Sequence, residues 1–179
     1  MNGHKIAALG AALSIALSSA HAQPSREPVS GAWLVATFKS ACFEPFGDRE
    51  KVRAAAESSA LGFTAIAPGP GPALPGSQGW ESPRARLGYS TGEGMPRDLP
   101  APQCSLTALA APGYDHAATA TALTAALGLP PGKSRGRNGR FTTEWNYPGI
   151  GRDKRRLFLS ADPGPAGTQL RVSLLNLRK

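Results

Sequence analysis

Apolar residues recur at helical spacing between Gly31 and Phe46, where Trp33, Leu34, Phe38, Ala41 and Cys42 draw one stripe. The spacing predicts a helix from Gly31 or Ala32 to Phe43. Glu44-Pro45-Phe46-Gly47 ends it, because Pro45 disfavours a helical Glu44. Asp48 reads as the N-cap of a second helix, with Glu50 favourably placed in its first turn. Val52, Ala55, Ala56 and Ser59 form its narrow apolar face, Gly62 its left-handed stop and Phe63 the follow-on contact. Two short helices across a tight turn predict an antiparallel pair.

Pattern then gives way to punctuation. Residues from Ala67 to Pro83 include Pro68-Gly69-Pro70-Gly71-Pro72 and read as a surface loop. Arg84 to Thr91 reads as a strand with Leu87 and Tyr89 on one face, and Gly92 to Pro102 as a second loop. Gln103 to Ala110 alternates, placing Cys104, Leu106 and Ala108 together. Asp115 caps a third helix, His116 to Leu127, stopped by Gly128-Leu129-Pro130-Pro131. The clearest strand is Phe141 to Tyr147, in which Phe141, Thr143, Trp145 and Tyr147 alternate with polar neighbours. Arg156 to Ala161, the turn Asp162 to Gly167, and Thr168 to Leu177 complete a three-strand meander, with Leu170, Val172 and Leu174 on one face. Helices and strands do not alternate regularly, and no internal repeat is visible. The fold class expected is α+β, an antiparallel sheet packed on one side by two or three helices.

The first 22 residues read as a secretory leader. Lys5 supplies a basic start, Ile6 to Leu17 an apolar run of about 12 residues, and Ala20-His21-Ala22 the small-x-small cleavage pattern. The run falls short of the roughly 20 residues a membrane span needs, and no later segment is long and apolar enough to span one. Cleavage before Gln23 leaves 157 of the 179 residues: a polar lead-in over 23–30, then a single domain over 31–179. The expected location is periplasmic or secreted, where a disulfide is chemically permitted. Cys42 and Cys104 are the only cysteines, and both are predicted to face one core, so a bond between them is expected. No C-x-x-C spacing supports a thiol–disulfide exchange role.

Candidate chemistry is sparse. His4 and His21 leave with the leader, so the mature chain keeps His116 alone. Multi-histidine metal sites are therefore closed to a single chain, and no cofactor is expected. Gly88-Tyr89-Ser90-Thr91-Gly92 matches the G-x-S-x-G of serine hydrolases, which makes Ser90 with His116 the enzymatic alternative. Yet Glu93-Gly94-Met95-Pro96 does not start the helix that motif requires. Gly132-Lys133-Ser134 lacks the upstream glycine of a phosphate-binding loop, since that position is Leu127.

Charge is more informative. The chain carries a formal net charge of +8, reduced to about +7 by loss of Lys5. Between positions 133 and 156 lie Lys133, Arg135, Arg137, Arg140, Arg152, Lys154, Arg155 and Arg156, against Glu144 and Asp153. This is the candidate anion-binding set, with Phe141, Trp145 and Tyr147 interleaved. The alternation of that strand predicts that its aromatic face is core. The leading expectation is a non-enzymatic exported protein whose partners are anionic: lipopolysaccharide, an acidic polymer or an acidic envelope protein. A third alternative is a structural or assembly subunit that buries the Phe141–Tyr147 strand against another copy.

Phe38-x-x-x-Cys42, the Ala-rich second helix, Gly62-Phe63 and the lone downstream Cys104 together resemble a loose group of small, uncharacterised exported alphaproteobacterial proteins with two cysteines. The resemblance covers mainly the first half of the mature chain. It implies export and the disulfide, and brings no catalytic residues with it.

Overall fold

Ser30 begins the first helix, α1 (Gly31–Phe38), by accepting the Trp33 N–H on its hydroxyl at 3.2 Å. The chain continues without a break into a π-helical turn, Lys39–Phe43. Leu34, Val35, Phe38, Ala41 and Cys42 are buried, whereas Trp33 lies only partly covered at the edge of the stripe. Helix α2 (Arg49–Ala56) is capped by the Asp48 carboxylate, which accepts from the Glu50 and Lys51 N–H groups, both at 3.1 Å. It is shorter than its sequence face implies. Ser59 lies in the following turn, and Gly62, with φ +64°, closes that turn rather than the helix. The computed structural model describes residues 26–67, 76–94, 100–149 and 153–177. The leader over 1–22 and the start of the lead-in lie outside this set, as does Arg152. Among the described residues no helix is long and apolar enough to cross a membrane.

Among the described residues eight strands follow the first helices: β1 (Thr64–Ala65), β2 (Ser77–Glu81), β3 (Ala85–Ser90), β4 (Gln103–Leu109), β5 (Lys133–Arg137), β6 (Arg140–Pro148), β7 (Lys154–Gly164) and β8 (Gly167–Leu177). Helix α3 (His116–Leu127) separates β4 from β5. Its N-cap is Asp115, whose carboxylate accepts from the Ala118 N–H, and Gly128 ends it in the left-handed conformation. All strands join one antiparallel sheet in the order β1-β2-β3-β4-β8-β7-β6-β5. The fold is α+β and dominated by its sheet.

Three strands depart from expectation. β2 lies inside the stretch read as a loop over residues 67–83. Only Trp80 marks it as apolar, and pairing with β3 recruits it: Trp80 sits opposite Leu87 with no exposed surface. β1 is too short to show a period. β5 is exposed at every position and has no apolar alternation at all. The meander expected to have three strands therefore has four. Helix followed by a four-stranded antiparallel meander occurs twice, and the two halves meet where β4 pairs with β8, with Leu106 opposite Val172. The repeat exists in topology, not in sequence.

The core fills one side of this sheet. Leu87, Cys104, Leu106, Ala108, Leu170, Val172, Leu174, Leu157 and Leu159 are nearly or wholly inaccessible, and Leu34, Phe38, Val52 and Leu123 pack from the helices. Cys42 and Cys104 form a disulfide across 62 positions, with Cα atoms 5.7 Å apart. It ties the π-helical turn to β4, one of the two central strands.

Candidate anion-binding face

Successive residues of a strand point to opposite faces, so the register sorts every charged side chain. Leu157, Leu159 and Ala161 of β7 face the helices, which turns Lys154, Arg156, Phe158, Ser160 and Asp162 away from them. Pairing extends the assignment outward. Thr142 lies opposite Ser160 and Arg135 opposite Thr142, while Lys133 lies opposite Glu144, itself opposite Phe158. Arg137 and Arg140 close the β5–β6 hairpin opposite each other. Lys133, Arg135, Arg137, Arg140, Lys154 and Arg156 therefore share the face of the sheet that carries none of the described helices. Arg155 does not: it points to the helix side, with its guanidinium 5.1 Å from the centre of the Phe46 ring.

Two further arginines stand on the same open face, and neither was among the sequence candidates. Arg171 of β8 lies opposite Ser160, and Arg86 of β3 lies opposite Thr107, which is itself opposite Arg171. Arg135, Arg171 and Arg86 thus occupy one line across six strands, about 24 Å long at the usual strand spacing. The alternation of Leu170, Val172 and Leu174 already pointed Arg171 outward. The line itself depends on the β4–β8 pairing, which joins strands far apart in sequence.

Ion pairs offset part of this charge. Arg140 meets Asp162 at 3.7 Å, Arg156 meets Glu144 at 3.3 Å and Arg86 meets Glu81 at 3.5 Å. Arg156 also donates to the Asn146 side-chain oxygen at 2.9 Å. Lys133, Arg135, Arg137, Lys154 and Arg171 form no ion pair among the described residues. Beside the arginine line runs a row of small side chains, Gly79, Gly88, Ser105 and Ser173, mutually in register. They floor a shallow cleft of about 530 Å³, with Arg171, Leu175 and Ile66 at its margins.

A larger hollow, about 920 Å³, lies on the helix side beside the β5 edge. Phe141, His116 and Tyr114 line it. The Phe141 ring is 46% exposed and stacks on the imidazole at 5.6 Å, and Tyr114 stands edge-on to His116 at 6.4 Å. His116 Nε2 lies 2.9 Å from the Thr143 hydroxyl, which contacts Ser134 Oγ at 2.8 Å, while Nδ1 is buried without a partner. Burial pulls the His116 pKa below its ordinary value, and Asp115 opposes this only in part. At the other end of the strand, burial pushes the Tyr147 phenol up to about 12, against the nearby Arg155.

The His116 shift gives stability a pH dependence of known sign. The folded state holds this proton more weakly than the unfolded chain does, so acid favours unfolding. Stability is expected to be flat above the unfolded histidine value of about 6.5 and to fall as pH drops below it. Urea titrations between pH 7.5 and 5 should show that slope in the native protein and a flatter one in His116→Gln. Equal slopes would mean that His116 is not its source.

Ser90 and His116 are not brought together. Ser90 lies on β3, where its hydroxyl contacts Ser77 Oγ at 3.1 Å and accepts the Gly92 N–H at 3.2 Å. His116 contacts β6, four strand spacings away, or about 19 Å, on the other side of the sheet. Among the described residues no helix follows Ser90 to form the strained turn of the hydrolase motif. Trp145 is 1% exposed, so the centre of the aromatic face belongs to this chain's own core. Only Phe141 leaves that core. Among the described residues no three His, Cys, Asp or Glu side chains gather as a metal site would require.

No family model matches this chain, and no curated protein or solved structure matches it either. Of the resemblance to small exported proteins, the cysteine pair is the part that the structure contains.

Proposed function

We propose that this is an exported, non-enzymatic protein that binds anionic components of the cell envelope through the open face of its sheet. One observation carries the reading. Six of the eight basic residues singled out from sequence, together with Arg86 and Arg171, fall on the one sheet face that none of the described helices covers. Five of these eight are not offset by an acidic partner among the described residues. A line of cations over a groove of small residues suits a chain of repeated negative groups, such as the phosphates of lipopolysaccharide or the carboxylates of an acidic polysaccharide. Export is supported by the leader pattern at 1–22 and by the disulfide, which persists in oxidising compartments.

The test uses heparin and lipopolysaccharide as probes. Each basic side chain at an anionic surface contributes about 1 kcal/mol at low salt. Arg135→Ala/Arg171→Ala is therefore expected to weaken binding to both probes roughly thirtyfold. Binding should also fall steeply as salt rises, because exposed charges beyond about 10 Å are screened at 0.1 M. Absent or salt-independent binding would remove the reading.

A further inference from the structure

The β5 edge is the outer limit of the sheet, and no described strand pairs with it. Asn138 (φ +51°) and Gly139 (φ +74°) form the two-residue turn of the β5–β6 hairpin. Such a turn makes its closing pair, Arg137 and Arg140, a hydrogen-bonded one, and every second pair after it. The N–H and C=O groups of Ser134 and Gly136 therefore point outward. Side chains alternate in the same register. Lys133, Arg135 and Arg137 stand on the open face, and none of them has an ion-pair partner among the described residues. Ser134 and Gly136 face the helix side, where the hollow lined by Phe141, His116 and Tyr114 begins.

We infer that β5 is an acceptor edge for an extended acidic segment of another protein, which adds to the sheet as a further strand. This rests on the anion-binding reading above and names the partner for its β5 end. The incoming main chain would bond Ser134 and Gly136. Residues opposite Lys133, Arg135 and Arg137 would be Asp or Glu, about 5 Å away across the pair. Residues opposite Ser134 and Gly136 would fall on the helix side, where an aromatic or large aliphatic side chain enters the hollow against Phe141. Main-chain bonds then supply affinity and alternate side chains supply selection. The basic row also excludes the simplest competitor. A second copy pairing β5 to β5 would set cation against cation, which is how natural edge strands avoid self-association.

The experiment uses the intact protein and a short blocked peptide that alternates Asp with Thr and carries one Phe among the Thr positions, read by fluorescence anisotropy. Two controls accompany it: a scrambled peptide, and the same peptide N-methylated on the amides of its Thr and Phe positions, which face β5. The expected result is binding that weakens more than about tenfold on N-methylation, on scrambling and in Arg135→Glu. Amide exchange at Ser134 and Gly136 should slow on binding. An N-methylated or scrambled peptide that binds equally well would overturn strand addition and leave only surface charge. Heparin binding without peptide binding would overturn this inference while the proposed function stands. Failure of both probes would remove both.

Discussion

Cys42→Ala/Cys104→Ala is expected to lower the stability of the protein by about 4 kcal/mol, the entropy that a cross-link across 62 positions removes from the unfolded chain. Both cysteines are fully buried, so two small voids add to the loss. The bond fastens the π-helical turn to β4, which pairs with both β3 and β8. Loosening this point removes support from the seam between the two halves of the sheet. At a urea dependence of about 2 kcal/mol per molar, the unfolding midpoint should fall by roughly 2 M. A reductant should destabilise the native protein to a similar degree and leave the double variant unchanged. A midpoint that moves by less than about 0.5 M would show that packing, not the cross-link, holds the turn on the sheet.

That pair was legible in the sequence because each cysteine sat on an apolar face that its own element announced. Cys42 followed Leu34 and Phe38 on a helical stripe, and Cys104 alternated with Leu106 and Ala108. The same logic placed β3, β4, α3, β6, β7 and β8, and the Asp48 and Asp115 caps. It failed where an element owes its existence to a neighbour. β5 has no buried residue, so its sequence Lys-Ser-Arg-Gly-Arg carries no period, and it is a strand because the Asn138-Gly139 turn folds it back on β6. β2 holds one buried residue, Trp80, whose indole N–H donates to Glu57 Oε1 at 3.0 Å. That contact belongs to the pairing of the first meander with the turn after α2, and no local pattern encodes it.

The open face was half legible for a related reason. The charge cluster was visible, but the strand was read as starting at Arg156, so alternation was not applied to Arg155, which the structure turns to the helix side. Which strands stand side by side is a long-range matter, and the β4–β8 contact brings Arg86 and Arg171 into line with Arg135. Two clusters that the sequence placed at opposite ends of β6 share one face because β5 and β7 flank β6 in the same pleat. The dyad of Ser90 and His116 failed on the same ground. The motif offered Ser90 and the histidine count offered His116, 26 positions on, as one alternative site, while the topology puts three strands between theirs.

Trp145 is the largest fully buried side chain described in the second half of the sheet. It is 1% exposed and lies opposite Leu157, and its indole N–H donates to Thr124 Oγ1 at 3.0 Å. Thr124 in turn donates to the Ala120 carbonyl at 2.9 Å. Gly132 lies so close that an added methyl would come 2.6 Å from the indole Cε2 and Nε1 and 2.7 Å from the Thr143 Cγ2. Trp145→Ala is expected to cost about 3–5 kcal/mol, as for other buried tryptophans. Trp145→Phe should cost far less, because it keeps much of the apolar contact and leaves Thr124 bonded to Ala120. Gly132→Ala in the native background should cost roughly 1–3 kcal/mol, since the methyl and the indole compete for one space. Trp145→Ala removes both indole atoms in conflict, so the cost of Gly132→Ala should shrink in the Trp145→Ala background, where only the Thr143 methyl still crowds the added Cβ. Urea unfolding of the four proteins closes a double-mutant cycle, and the expected coupling is about 1 kcal/mol or more. Additive costs would mean that Gly132 is required for some other reason, such as the Thr143 methyl, and that the connection from α3 to β5 is not held against the core by this indole.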